Sequence, residues 1–387
     1  MPKALVRMTE KVIPADHRVF VLHPGFGYAF FQNFVERSAV YLDLPGFRAP
    51  RTWELEDRDV ENRIRASVEL ARWYRSGGAE ANRPSSDPND FRRRSGRPSR
   101  VVSEAHTLYV SAKKGDLVIV PSKGYFSEIY VGEFSQDSDS VRTTLQQVPY
   151  RRDRIPARSV NWLHKFPRKI DLPSDVIRLT QNRQALIQIY GDAKRSIYDA
   201  AYKSYVVSID DSSFYLGVQK ERILLDDIGQ ISELTKFVIS VFLALEAGRD
   251  DDLTEMDSQQ IVERFFRRDV LVDTDVSIHS PGRLLIRTRN RLVSGFSAAV
   301  LTLTLGLAHA DGEAPPKPDE VEIVGGEHEN GEHEYDPDVV DYVNRMMRVF
   351  GEDKWRELID KSKEAKENSG LTTAGTSEML SDDGEEE

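Results

Sequence analysis

None of the 387 residues is cysteine. That absence removes disulfide cross-links, thiolate nucleophiles and cysteine-ligated zinc sites together, and it accords with a reducing compartment. The opening residues MPKALVRMTEKVIPADHRVF are charged throughout and have no apolar signal core, so no export is expected. A cytoplasmic protein is expected. The glycine-rich turn His23-Pro24-Gly25-Phe26-Gly27 precedes a helical pattern but matches neither the P-loop nor the dinucleotide spacing, so it reads as a structural turn.

What is present is unevenly distributed. The net charge of −11 conceals 30 Lys+Arg against 22 Asp+Glu in residues 1–180, and 23 against 42 in residues 181–387. A basic half can be held on phosphates by counterion release, whereas an acidic half is repelled by them. The length allows two or three domains, and 39% hydrophobic content is enough for real cores.

Along the basic half, Arg18 to Leu22 reads as a strand, Tyr28 to Arg37 as an aromatic helix, and Ser38 to Leu42 as a strand ended by Pro45-Gly46. The spacing of Ile64, Val68, Leu70, Ala71 and Trp73 predicts an amphipathic helix over 60–75 with arginines on its wet face. Gly77 to Arg100 has the composition of an exposed loop, and its run Arg92, Arg93, Arg94, Arg97 and Arg100 suits a segment that orders on a polyanion. Lys113, Lys114, Gly115 and Asp116 form a turn feeding the apolar strand Leu117 to Val120, which Pro121 stops. Ile129 to Phe134 reads as its antiparallel neighbour. Arg151, Arg152, Arg154 and Arg158 then arrive just before Val160 and Trp162, which brings guanidinium groups and an indole together.

The order of these elements, with KKGDLVIVP, IYVGEF and RSVNWL, resembles the N-terminal specificity domain of Mrr-type restriction and related prokaryotic antiviral proteins. The resemblance covers about residues 15–190 and rests on motifs of moderate specificity. The chain departs from the pattern at Leu44-Pro45-Gly46, where that family tends to have Gly-Trp, and no nuclease or ATPase module is evident downstream. The resemblance implies a PUA/EVE-like small β-barrel that binds DNA or RNA, in some members by capturing a flipped or modified base. Capture needs an aromatic-walled pocket, because unstacking a base costs a few kcal/mol that protein rings must return. Trp53, Trp73, Tyr125, Phe126, Tyr130 and Trp162 are the candidate walls, with core packing the alternative for each.

The second half offers a rival enzyme reading. Asp175, then Asp192 and Lys194 directly after the strand pattern Ala185 to Tyr190, echo a metal-dependent nuclease that would need Mg²⁺; otherwise Asp192 caps a helix and no cofactor is expected. Val207-Ser208-Ile209 and Val276-Ser277-Ile278 each open a hairpin that leads to a helix, so a duplicated hairpin–helix unit is expected. Asp226 to Ala247 reads as a core helix, and the spacing from Thr254 to Asp257 as a capping box ahead of a shorter one. Leu292 to Ala310 carries no charge, which allows a membrane span and hence a membrane-inserting effector. Its small-residue stripe, Ser294, Ala298, Thr302 and Gly306, also suits close packing against another helix, and a buried helix is preferred. His279-Ser280 needs no more than a hairpin turn. Glu327-His328-Glu329 and Glu332-His333-Glu334 read as flexible acidic linker before metal ligands.

The expected fold class is thus α+β. It comprises a PUA/EVE-like nucleic-acid-binding domain (1–190), an α+β assembly domain (191–312), an acidic linker (313–335), a helical appendage (336–367) whose apolar face folds back or recruits a protein partner, and a disordered acidic tail (368–387). Homo-oligomerisation through the assembly domain is allowed. The expected function is a non-catalytic nucleic-acid-binding component of a prokaryotic antiphage defence or restriction-like system.

Overall fold

The structure, a computed structural model, describes residues 3–92, 99–140, 142–146, 150, 153–172, 174–182, 184–277, 282–308, 316–325 and 335–380. It divides into two compact units, Asp16–Ala201 and Met1–Ala15 with Tyr202–Glu387. The described residues are mixed α and β, with several sheets and no closed barrel.

In the Asp16–Ala201 unit a sheet runs in the order Ala39–Val40, Arg154–Phe166, Ile129–Phe134, Leu117–Pro121, Val19–Leu22 and Leu186–Ile189, with Arg142–Gln146 paired to the long strand. Leu117–Pro121 and Val19–Leu22 are buried at every position, as uninterrupted apolar runs must be when both faces of a strand are covered. They run parallel, Val21 facing Ile119, while the other pairings are antiparallel. The expected barrel is therefore an open sheet. Among the described residues Ala39–Val40 pairs only with the long strand and Leu186–Ile189 only with Val19–Leu22, so no pairing joins the two edges.

Local chemistry fixes the turn that feeds this sheet. The buried Asp116 carboxylate accepts from the Arg18 and Lys113 amides at 2.8 and 2.9 Å, and Gly115 takes φ +89, where a side chain would be strained. Helix Arg58–Arg75 covers the core with Val60, Ile64, Ala71 and Trp73, and Asp57 caps it by accepting from the Asp59 and Val60 amides. Helix Arg100–His106 continues into a wider π turn, Thr107–Ser111. That turn buries Tyr109, whose hydroxyl donates to the Pro156 carbonyl and accepts from the Leu42 amide. The helix expected from Tyr28 starts at Phe31, because Tyr28 sits at φ +63.

In the other unit two hairpins form one sheet in the order Leu271–Ser277, Gly282–Thr288, Asp211–Val218, Tyr205–Ser208, followed by Lys11–Val12. A second sheet places Lys3–Met8 between Val321–Gly325 and Thr376–Leu380. Helix Arg291–Leu307 lies on both sheets. Ser294 bonds Ser212 and Thr288, Thr302 bonds Thr373, and a Cβ on Gly306 would fall 2.5 Å from the Ser377 Cβ. The small-residue stripe therefore admits strands rather than a second helix. With 17 residues it is shorter than expected for a span and almost wholly buried. Leu225–Glu246 is the one described helix long and apolar enough to cross a membrane, and it too is mostly buried.

Helices Pro337–Val349 and Glu352–Ser369 are not an appendage. Val339, Val343, Met346, Phe350, Trp355 and Leu358 are buried in the same core as the two long helices. Phe242 meets Phe296 and Tyr342, Phe350 meets Phe237 and Trp355, and Lys366 donates to the Leu305 carbonyl at 2.9 Å. The tail expected to be disordered from 368 supplies strands Leu371–Thr373 and Thr376–Leu380, launched by Gly370 at φ +66. The short helix expected after Thr254 starts instead after Asp257, whose carboxylate accepts from the Gln260 amide while Gln260 accepts from Asp257. The acidic linker segment 326–334 and His279-Ser280 lie outside the described residues.

Candidate nucleic-acid interface

The arginines named from sequence fall into different classes. Arg158 is 1% exposed, and its guanidinium donates to the Leu108, Ala112 and Gln136 carbonyls at 2.7–3.0 Å while stacking over Phe134. Buried and tied to three backbone carbonyls, it holds the fold together, which corrects its expected place on the binding surface. Burial lowers its pKa to about 10, with Asp137 and Asp116 opposing, so it stays charged at neutral pH. Arg92 is exposed and bonded to Asn89, Arg100 lies 3.5 Å from Glu104, Lys113 pairs with Asp16, and Arg154 and Lys114 are exposed. Arg93, Arg94, Arg97, Arg151 and Arg152 lie outside the described residues.

Three arginines that sequence reasoning did not single out meet around a cavity of about 290 Å³, namely Arg48, Arg63 and Arg83. The construction is local. Ser67, on the inner face of helix Arg58–Arg75, donates to the Pro45 carbonyl at 2.7 Å and pins the Pro45-Gly46 turn, whose Gly46 amide donates to the Arg154 carbonyl at 2.8 Å. At the helix end the Trp73 indole donates to the Ala79 carbonyl at 2.8 Å, and Arg83 lies over its ring at 5.3 Å. The expected exposed loop contains two 3₁₀ turns, Glu80–Asn82 and Pro88–Phe91, and its Ser85 and Ser86 edge the cavity.

One carboxylate, Asp153, faces these three cations. It accepts from the Tyr74 hydroxyl at 2.6 Å and lies 3.6 Å from Arg83. Burial, and then the bond to Asp153, push Tyr74 up to about 12, which keeps it a donor. Arg63 pairs with Asp59 through one terminal nitrogen at 2.8 Å, yet its buried Nε has no partner. Asp59 and Glu80 each pair with one of these arginines from outside the cavity lining, where Asp153 is the one carboxylate, so the lining is rich in forked donors of the kind that suit an oxyanion, phosphate in particular.

The candidate aromatic walls do not form one pocket. Trp53 and Trp73 are buried, Trp53 edge-on to His106 at 4.9 Å. Tyr130 lies between Phe31 and Trp162, at 6.0 and 5.4 Å, with Lys165 over its ring and the Trp162 indole donating to the Val35 carbonyl. Tyr125 and Phe126 are exposed in the loop between Leu117–Pro121 and Ile129–Phe134. Tyr130 with Trp162 therefore offers a half-buried stacking surface, and Tyr125 with Phe126 a separate exposed one.

Of the nuclease candidates, Asp192 is exposed ahead of helix Ala193–Ala201, while the Lys194 ammonium donates to the His17 carbonyl. Asp175 belongs to helix Ser174–Leu179, and its side chain lies outside the described part. Among the described residues no group of three or more His, Asp or Glu is arranged to hold a metal. No family model, no curated protein and no solved structure matches this chain.

Proposed function

We propose that the Asp16–Ala201 unit binds nucleic acid through its phosphates, and that the protein is a non-catalytic recognition component of a prokaryotic antiphage defence or restriction-like system. The observation that carries this reading is the cavity lined by Arg48, Arg63 and Arg83, with Asp153 the one carboxylate in its lining. The charge division agrees with it. Asp16–Ala201 holds 30 Lys+Arg against 23 Asp+Glu, and the other unit 23 against 41. The first unit attracts a polyanion and the second repels one. The resemblance of KKGDLVIVP, IYVGEF and RSVNWL to restriction-type specificity domains supplies the biological setting.

The acidic unit reads as assembly scaffold built on a duplicated hairpin–helix. Asp211–Val218 lies antiparallel to Gly282–Thr288, with Tyr215 facing Leu285 and Leu216 facing Leu284, the pairing that a two-fold duplication would produce. Each hairpin leads into a long core helix, Leu225–Glu246 or Arg291–Leu307.

Filter binding of labelled DNA and RNA across a salt series tests the reading. Replacing Arg48, Arg63 and Arg83 together by glutamine should weaken binding roughly 10- to 100-fold and flatten the log K against log salt slope by about 0.9 for each phosphate that is no longer neutralised. A triple variant with the parent's affinity and slope sinks the proposal.

A further inference from the structure

At one end of the sheet in the Asp16–Ala201 unit, polar groups are buried in a way the arginine cavity does not use. His23 Nε2 and Ser122 Oγ are buried without hydrogen-bond partners. The Lys169 side chain is 5% exposed, and the group found against its ammonium is the Tyr125 ring, 5.7 Å away. Among the described residues no carboxylate pairs with it. An ammonium, a hydroxyl and an imidazole nitrogen are thus removed from water without return from the fold.

The topology brings them to one place. Val19–Leu22 and Leu117–Pro121 run parallel with Val21 facing Ile119, so His23 and Ser122 leave the sheet at the same carboxyl end. The turn Lys169–Asp171 is tied to the loop that Ser122 opens, because the Lys169 amide donates to the Ser127 carbonyl at 3.0 Å and the Ile170 amide to the Tyr125 carbonyl at 3.1 Å. Burial first, and the Lys169 charge second, push His23 down to about 4 and keep it neutral. The carboxyl ends of parallel strands are where open sheets gather ligand-binding groups.

The backbone beside His23 is strained as well. Gly25 and Gly27 take positive φ, and so does Tyr28 at +63, a costly conformation for a tyrosine. The Tyr28 ring stands edge-on to His23 at 5.8 Å, and a Cβ on Gly25 would collide with Phe30 at 2.3 Å.

We propose that His23, Ser122 and Lys169 form an oxyanion site of the phosphate class, with Tyr28 and Tyr125 beside it, filled by a free phosphate group or by one phosphodiester of a bound strand. Lys169 supplies the charge, while Ser122 and neutral His23 each donate one hydrogen bond. The site does not depend on the arginine cavity, so either can fail alone.

Calorimetric titration of the full chain with inorganic phosphate and with a dinucleoside monophosphate, at fixed ionic strength, tests this. One probe should bind with unit stoichiometry, and which one does so separates the two sources of phosphate. Lys169→Met should weaken that binding roughly 10- to 100-fold, and Ser122→Ala about 3- to 10-fold. Without ligand, Lys169→Met should melt higher than the parent, since an uncompensated buried charge is gone. If neither probe binds the parent, or if the bound probe is held as tightly by Lys169→Met, the site is not an oxyanion receptor. Should Lys169→Met fail to fold, unchanged affinity in Ser122→Ala overturns the proposal equally. Long-strand binding that survives Lys169→Met and falls with the arginine triple variant would leave the cavity reading standing by itself.

Discussion

The two units of this chain bury polar groups in opposite ways. In the unit containing the long apolar helices the buried polar residues are mainly small hydroxyls; those of Ser213, Thr235 and Ser297 lack a partner among the described residues, while others satisfy one another: Ser212 with Thr288 and Ser294, Thr304 with Ser362, and Thr302 with Thr373. They sit where helix and strand approach closely and carry no charge. The Asp16–Ala201 unit instead buries Arg158, Lys169, Asp116, Glu104 and His17. Some are held by several hydrogen bonds, as Arg158 is, and some are not, as Lys169 is. Buried hydroxyl networks serve packing alone, whereas an unengaged buried charge costs stability and so marks a place where a ligand can return the cost.

Arg158 gives the largest expected effect. Arg158→Ala leaves three buried carbonyls without their donor and a hole beside Phe134, and it should destabilise the Asp16–Ala201 unit by about 3–5 kcal/mol. Hydrogen exchange followed over the full chain should show the loss in Val19–Leu22 and Leu117–Pro121, with protection unchanged in Leu225–Glu246. Equal loss in both units would break the comparison, because the charge would then be supporting the whole chain.

The acidic unit has exceptions to its rule: Asp227 is buried and accepts from the Leu224 amide, and Glu10 titrates. Glu10 is pushed up to about 7, by burial first and by Asp336 next, against the opposing Tyr335 hydroxyl at 3.4 Å and Arg291. Its folded value lies above the unfolded value near 4.5, so the folded state holds the extra proton and stability falls as pH rises from about 4.5 to about 7, then levels. The loss amounts to at most roughly 3 kcal/mol. Glu10→Gln should flatten that part of the denaturant-midpoint profile and raise stability at pH 8. A parent whose stability does not fall over that window refutes it.

How much of this can be read from the sequence follows from the range over which each signal acts. LVIVP, IYVGEF and the helix near Asp226 to Ala247 are visible because their burial is written in consecutive residues. Lys3–Met8 escapes a reading of the sequence because its partners, Val321–Gly325 and Thr376–Leu380, lie more than 300 positions away and the strand has no local pattern of its own. Arg158 is misplaced by such a reading because a run of arginines looks the same whether one of them turns inward or not. The cavity arginines pass for a helix's wet face, although Ser67 within an apolar stripe and Pro45-Gly46 together mark where a turn meets that helix.

The smallest expected effect sharpens the comparison from the surface. Lys113 pairs with Asp16, both are exposed, and the Lys113 ammonium holds the Asp16 carboxyl below its usual range. Solvent screens such a pair and two mobile side chains must be ordered to form it, so Asp16→Asn should leave the unfolding midpoint unmoved within error. It should nevertheless tighten nucleic-acid binding slightly at low salt, since Lys113 loses its competing carboxylate, and the gain should vanish as salt is raised. If Asp16→Asn shifts stability and leaves binding alone, surface charge in this unit serves the fold, and the division of labour between engaged and unengaged charge does not hold.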